Sequence, residues 1–229
     1  MTDYRKALRS DYVKTAVTVG LIVAVALVFY LGLCIALGTS APLRVVSSGS
    51  MCLSEEGCDG WSHPFTPTLH RGDIIVIQTV KPEELNVDYP NSDIIVYQNP
   101  DLRHNPEATP IVHRIVSAYQ DSNGTWHFQT KGDGNLHHWP QIPTANEYDS
   151  HVIWTSGEGV SQDLVLGKVV LRIPIVGLIA LFMQENSWAL PLIVGLFLLL
   201  IALEFYLPVA KQRHRKRIAE QQTRAANQP

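Results

Sequence analysis

The chain has 229 residues, a formal net charge of −3 and a hydrophobic content of 46%. That length holds one domain of moderate size plus membrane segments. The small total charge hides a sharp division along the chain, with basic ends and an acidic middle; a basic tail can also mean nucleic acid, but next to a span it favours a membrane.

In chain order, residues 1–14 carry Arg5, Lys6, Arg9 and Lys14 against Asp3 and Asp11. Thr15 to Leu37 follows as 23 residues without a charge. About 20 apolar residues cross a bilayer core of roughly 30 Å, so 15–37 is expected to be a transmembrane helix. A cleavable signal peptide competes for this stretch, with Gly38, Thr39, Ser40 and Ala41 small enough to be cut after. Signal h-regions run about 7–15 residues, however, which favours an uncleaved anchor. A second apolar stretch, 188–207, has only Glu204 charged and predicts a second helix. Residues 208–229 form a basic tail with Lys211, Arg213, Arg215, Lys216 and Arg217. The positive-inside rule puts both termini in the cytoplasm and 38–187 outside. That outer segment carries 8 Lys or Arg against 17 Asp or Glu, a net −9. A basic tail beside a span reads as a hold on anionic lipid.

The outer segment is rich in β-branched residues and turn formers. Asp73–Val80, Asp93–Tyr97, Ile111–Tyr119, Trp126–Thr130 and Gly167–Ile173 read as strands, with Asp121–Gly124 a hairpin loop. Prolines at 82, 90, 100, 106, 110, 140 and 143 argue against long helices there. The expected fold is a mainly β extracytoplasmic domain between an N-terminal and a C-terminal transmembrane helix. Ile173–Met183 is apolar but too short to span, and fits either a core strand with its loop or a segment dipping into the outer leaflet. Cys34 lies within the first span as an apolar filler. Cys52 and Cys58 lie outside, where a disulfide can pin a small loop. Without a third and fourth ligand nearby they are a weak zinc signal. Asn123-Gly124-Thr125 fits the N-glycosylation acceptor pattern.

Ser47-Ser48-Gly49-Ser50-Met51 stands just after the first span. A serine hydroxyl needs a base to take its proton. His113 is the best base, because a neutral imidazole accepts a proton near neutral pH and returns it to a leaving amine. Asp133, in the glycine turn Lys131-Gly132-Asp133-Gly134, is placed to fix the imidazole's tautomer. The Ser50 N–H and the Ser48 hydroxyl are the expected oxyanion donors. Each residue alone is weak, and their order beside a membrane carries the weight. His63, His127, His137, His138 and His151 offer metal ligands, but adjacent strand residues face opposite sides and rarely chelate together. No metal and no cofactor is expected.

Taken together these motifs resemble type I signal peptidases of the archaeal and endoplasmic-reticulum branch. Ser48-Gly49-Ser50-Met51 resembles the serine box, and Pro67 to Val76 the segment that follows it. Val112-His113-Arg114-Ile115 matches the box where the bacterial branch has lysine. Thr130-Lys131-Gly132-Asp133 matches the aspartate box, and Gly167-Lys168-Val169-Val170 with Ile173-Pro174 the last shared segment. The resemblance covers roughly residues 40–180. It implies a serine endopeptidase that removes N-terminal signal peptides after small residues (A-x-A), in the cell membrane or the endoplasmic-reticulum membrane. It implies Ser50 as nucleophile, His113 as general base, Asp133 supporting the histidine or the fold around it, and Ser48 at the oxyanion. Lys81 and Lys131 are the only lysines near the site in sequence, so a serine–lysine dyad is disfavoured. The implied partners are preproteins, the lipid bilayer, and translocation machinery or accessory subunits.

Three departures matter. Cys52 to Thr66, with Trp61, His63 and Phe65, is inserted after the serine box and is placed to form a lid or reshape the cleft. Gly134 replaces an asparagine, and Trp139 stands where a second aspartate is expected, leaving Asp149 as the alternative third group. A single short span follows the domain, a span that some members of the family lack. The insertion and altered aspartate box motivate an alternative, a non-catalytic membrane subunit that binds preproteins or a translocation complex.

Overall fold

The structure is a computed structural model in which residues 2–53, 68–105, 108–204 and 206 are described. Most of the insertion, including Cys58, Trp61, His63 and Phe65, lies outside the described residues, as does the basic tail. The chain divides into two compact units, Met1–Leu178 and Ile179–Pro229.

The first unit opens with helix α1, Thr2–Leu37. Its part from Val13 to Leu37 is long and apolar enough to cross a membrane, with mean hydropathy 2.8 and none of that apolar window buried within the protein. A helix so apolar with no covering layer matches a lipid-facing span rather than a core helix. Its last turn is tied to the domain, because the Thr79 N–H donates to the Leu37 carbonyl at 3.0 Å.

The domain is one seven-stranded antiparallel sheet. Its strands are β1 (Leu43–Val45), β2 (Ile74–Gln78), β3 (Ile94–Tyr97), β4 (Ile111–Gln120), β5 (Trp126–Lys131), β6 (Val160–Ser161) and β7 (Val165–Ile173), in the order β1-β2-β7-β3-β4-β5-β6. The five strands expected from β-branched runs form within a residue or two of their expected ends. The short β1 and β6 carry too little pattern to be read locally, and they form by pairing onto β2 and β5.

Alternation along β3 explains the two cores. Successive strand residues point to opposite faces. Ile95 and Tyr97 join Leu85, Ile115, Phe128, Trp154, Val160 and Leu164 on one side. Val96 joins Val46, Met51, Leu69, Ile75 and Ile77 on the other. Between β5 and β6 the chain adds a 3-10 turn, Ala145–Glu147, and one short α-helix, α2 (Asp149–Val152).

The apolar run after β7 is neither strand nor simple loop. β7 ends at Ile173, and a helix, α3, runs Leu178–Glu185. In the second unit a further helix, α4 (Ala189–Glu204), continues after a bend of 104°. The expected second span, 188–207, is helical over Ala189–Glu204 among the described residues, and α3 with α4 passes for a membrane-spanning length only as a bent pair.

Candidate active site

Ser50 sits on the turn that leaves β1. Its neighbour Met51 is fully buried in the second core, and Cys52 N–H closes the turn onto the Gly49 carbonyl at 2.9 Å. Burying Met51 turns the adjacent serine outward, where it remains half-buried. Cys52 is disulfide-bonded, while Cys34 is a free thiol.

His113 stands in the middle of the sheet on β4, opposite Ile95 of β3. Tyr97 opposes Ile111, and Thr130 opposes Ile115. Cross-strand partners and residues two apart share a face, so Tyr97, His113 and Thr130, from three adjacent strands, stand on the same face. Asp149, the first residue of α2, comes to meet them. His113 Nδ1 lies 2.6 Å from Asp149 Oδ2, and His113 Nε2 lies 2.8 Å from Ser50 Oγ. The same Asp149 oxygen accepts from Tyr97 OH at 2.9 Å and from Thr130 Oγ1 at 2.7 Å. His113 and Asp149 are 3% and 2% exposed, so this ladder of hydrogen bonds is shielded from water until it reaches the serine.

The polarity of the chain follows from the donor inventory. A buried carboxylate accepts, so Nδ1 carries the proton and Nε2 is left to accept from the Ser50 hydroxyl. Ser48 Oγ, 3.3 Å from Ser50 Oγ, can then donate to the serine oxygen. Among the described residues no backbone acceptor takes the Ser50 N–H.

Asp133 is placed differently. Arg114, one residue beyond His113, faces the opposite way and holds Asp133 by two bonds, Nε to Oδ1 and Nη2 to Oδ2, each 2.8 Å. Its third donor goes to the Ser92 carbonyl at 2.9 Å. Trp139 lies against this guanidinium, 5.3 Å from ring centroid to Arg114 Cζ. Where a second aspartate was expected, an aromatic ring thus covers a buried ion pair, and the carboxylate behind the histidine comes from ten residues further on. Burial pushes the Asp133 carboxyl up from its usual value, with Arg114 opposing the shift. Among the described residues the side-chain hydrogen bonds of the Asp133 carboxylate run to Arg114 and not to His113.

Lys131 is also buried, but its ammonium donates to the carbonyls of Gly132, Asn135 and His137. Burial lowers its pKa, while Glu147, Asp133 and Asp149 oppose the shift. It clasps the loop after β5 and makes none of these bonds to Ser50; Lys81 is exposed. The remaining histidines are spread out: His127 stacks on Tyr119 and His137 pairs with Glu147 at 2.5 Å. Among the described residues no three His, Cys, Asp or Glu gather as metal ligands.

The site opens into a cleft of about 310 Å³ between the end of β1 and the start of β4. Val45, Val46, Ile111, Val112 and Ile153 give it apolar walls, and Ser48, Ser50, His113 and Asn135 give it polar ones. A strand-edge feature runs along it. The pairing of β4 with β5 begins only at Arg114, so Ile111 to His113 lack a β5 partner, and β1 pairs on one side only.

A serine hydroxyl on an imidazole, with a buried carboxylate behind it and an apolar cleft in front, is the arrangement of a serine hydrolase. Relatives narrow the class. The chain is 25% identical over 202 residues to the signal peptidase complex catalytic subunit SEC11C of Rattus norvegicus, covering 86% of this chain and 88% of that one. It is 27% identical over 186 residues to the catalytic subunit SEC11 of Leptosphaeria maculans (80% and 87% covered), and 28% identical over 172 residues to that of Dictyostelium discoideum (74% and 75%). No family model matches the chain. The protein is a homologue of signal peptidase catalytic subunits.

Proposed function

We propose that this protein is a membrane-anchored serine endopeptidase that cleaves N-terminal signal peptides from exported proteins. The observation that carries the reading is the continuous Ser50–His113–Asp149 chain at the floor of the cleft. In it Ser50 is the nucleophile and His113 the general base, while Asp149 holds the base in its reactive tautomer. Asp133 supports the histidine strand through Arg114. Ser48 and the Ser50 N–H stabilise the oxyanion.

The sequence of events follows from these roles. His113 Nε2 removes the Ser50 proton as Oγ attacks the scissile carbonyl. The imidazolium returns that proton to the leaving amine, and water then repeats the cycle on the acyl-enzyme. The substrate lies extended along the free edges of β1 and β4, which offer main-chain hydrogen bonds. In this reading small residues next to the cut, the A-x-A pattern, meet the apolar walls that Val46, Ile111 and Val112 give the cleft.

The anchor supplies the location. The span Val13–Leu37 ends six residues before β1 and is bonded to Thr79, the residue after β2, which supports a site close to the outer surface of the membrane, where an apolar h-region ends. In the same reading both termini are cytoplasmic, α4 contributes a second membrane segment, and accessory subunits join the chain, as the names of its relatives say of those proteins.

The test is cleavage of a preprotein with an A-x-A site by wild type and Ser50→Ala, both purified in detergent. Cleavage by wild type alone establishes the peptidase and its nucleophile. Cleavage by both removes Ser50 from the mechanism. Cleavage by neither, with both folded, favours a subunit that binds preproteins.

A further inference from the structure

We propose that Tyr97 and Thr130 are positioning residues that hold the Asp149 carboxylate in register with His113, an inference that rests on the catalytic reading above.

Asp149 needs such support. Its helix α2 has only four residues and follows a long loop, so the local chain cannot by itself fix a carboxylate to within a few tenths of an ångström. The sheet does this instead. Tyr97 from β3 and Thr130 from β5 flank His113 of β4 on the same face, and all three reach one oxygen, Asp149 Oδ2. Thr130 Oγ1 also lies 2.9 Å from the Tyr97 hydroxyl, so the two side chains form a cradle rather than two separate contacts. Tyr97 grips the same segment a second time. Its ring packs edge-on against Trp154, with centroids 6.1 Å apart and planes at 80°, five residues beyond Asp149. Ser150 adds a buried bond to Gln129 of β5 at 2.5 Å.

The electrostatics agree with the geometry. Burial, then the Asp149 charge, push the Tyr97 phenol well above its ordinary 10.0, so it remains a donor over the working range. The groups that face Asp149 are His113 from β4, Tyr97 from β3, and Thr130 and the charge of Lys131 from β5, with Asp133 acting on His113. Removing one hydroxyl leaves the carboxylate less well satisfied. It then binds the imidazolium more strongly and orients it less well. The acid limb of activity moves to higher pH, and kcat falls.

The experiment uses the full chain in detergent with Tyr97→Phe, Thr130→Val and Thr130→Ser. Tyr97→Phe keeps the ring against Trp154 and removes only the hydroxyl. The expected result is kcat lowered about tenfold by Tyr97→Phe and by Thr130→Val, with KM within twofold and an acid limb moved up by about half a unit. Thr130→Ser restores both. Unchanged kcat and acid limb in both variants overturns the proposal, as does a loss of activity that leaves the acid limb in place and is not restored by serine. The low-field proton resonance of His113 Nδ1–H, assigned by its loss in His113→Gln, gives a reading independent of cleavage. Its movement in both variants supports the cradle, and its constancy overturns it. A wild type that cleaves no preprotein while this resonance moves counts against the peptidase reading and not against the cradle.

Discussion

Gly134 lies so close to Cys52 that a Cβ placed on it would stand 2.0 Å from the Cys52 carbonyl oxygen. Two departures from the family pattern are thus one structural event: the chain that leads into the insertion passes over the spot where an asparagine side chain would start. The loop after β5 docks there through the Gly134 N–H, which donates to the Ser50 carbonyl at 2.9 Å. Gly132 makes a parallel demand, since a Cβ there would meet Ser50 O at 2.5 Å and His113 Nε2 at 2.9 Å. Glycine at these two positions lets the loop lie against the nucleophile turn.

Substituting Gly134→Ala is therefore expected to destabilise the protein by about 1–3 kcal/mol, because the obstacle is backbone and cannot rotate away. It also shifts the Ser50 turn, so cleavage falls. Thermal unfolding and turnover on the same preparation check this. A Gly134→Ala protein with wild-type melting and turnover contradicts the close approach.

The two aspartates separate by what they lose. Asp149→Asn removes the acceptor behind His113, and kcat is expected to drop about 10⁴-fold while the fold persists. Asp133→Asn leaves the buried Arg114 charge without its partner, and the expected cost is about 3–5 kcal/mol of stability. Melting temperatures and kcat for both variants decide the assignment. Loss of kcat in a stable Asp133→Asn protein, with an active Asp149→Asn, would reverse the roles.

Tyr97 gives the alkaline behaviour. Its folded pKa is raised by burial and by Asp149, so the folded state keeps the phenol proton where the unfolded chain releases it. The stabilisation is complete below the unfolded value near 10 and is lost as pH climbs above it. Melting temperature against pH should fall more steeply above pH 10 in wild type than in Tyr97→Phe. Parallel curves would show that Tyr97 is not the protonated donor.

Much of the fold could be read from local pattern. Runs such as Ile74-Ile75-Val76-Ile77 and Ile111-Val112-His113-Arg114-Ile115 place strands because β-branched residues fit a pleated, half-buried surface. The uncharged stretch ending at Leu37 places the helix by length alone. The helix Leu178–Glu185 was not legible, because an apolar run of that length suits helix and strand equally and context arbitrates. Ser50 and His113, the proposed nucleophile and base, stand out in the sequence because each sits in a distinctive box, and the structure brings them within 2.8 Å of each other.

The third member of the chain does not stand out in this way. Asp133 stands in the conspicuous glycine turn, whereas Asp149 lies in an unremarkable Tyr-Asp-Ser, and no local signal ranks one above the other. Alternation along β4 is the physical reason for the outcome. His113 and Arg114 point to opposite faces, so a carboxylate bound to Arg114 is committed to the other side, and only a group arriving over the His113 face can back the imidazole. Sequence by itself determined the apolar N-terminal helix, the strands and the Ser50 and His113 pair proposed to react, because those depend on local pattern and residue chemistry. Which carboxylate serves the histidine, and which hydroxyls cradle it, depends on residues brought together from β3, β4, β5 and α2, and only the tertiary structure decided it.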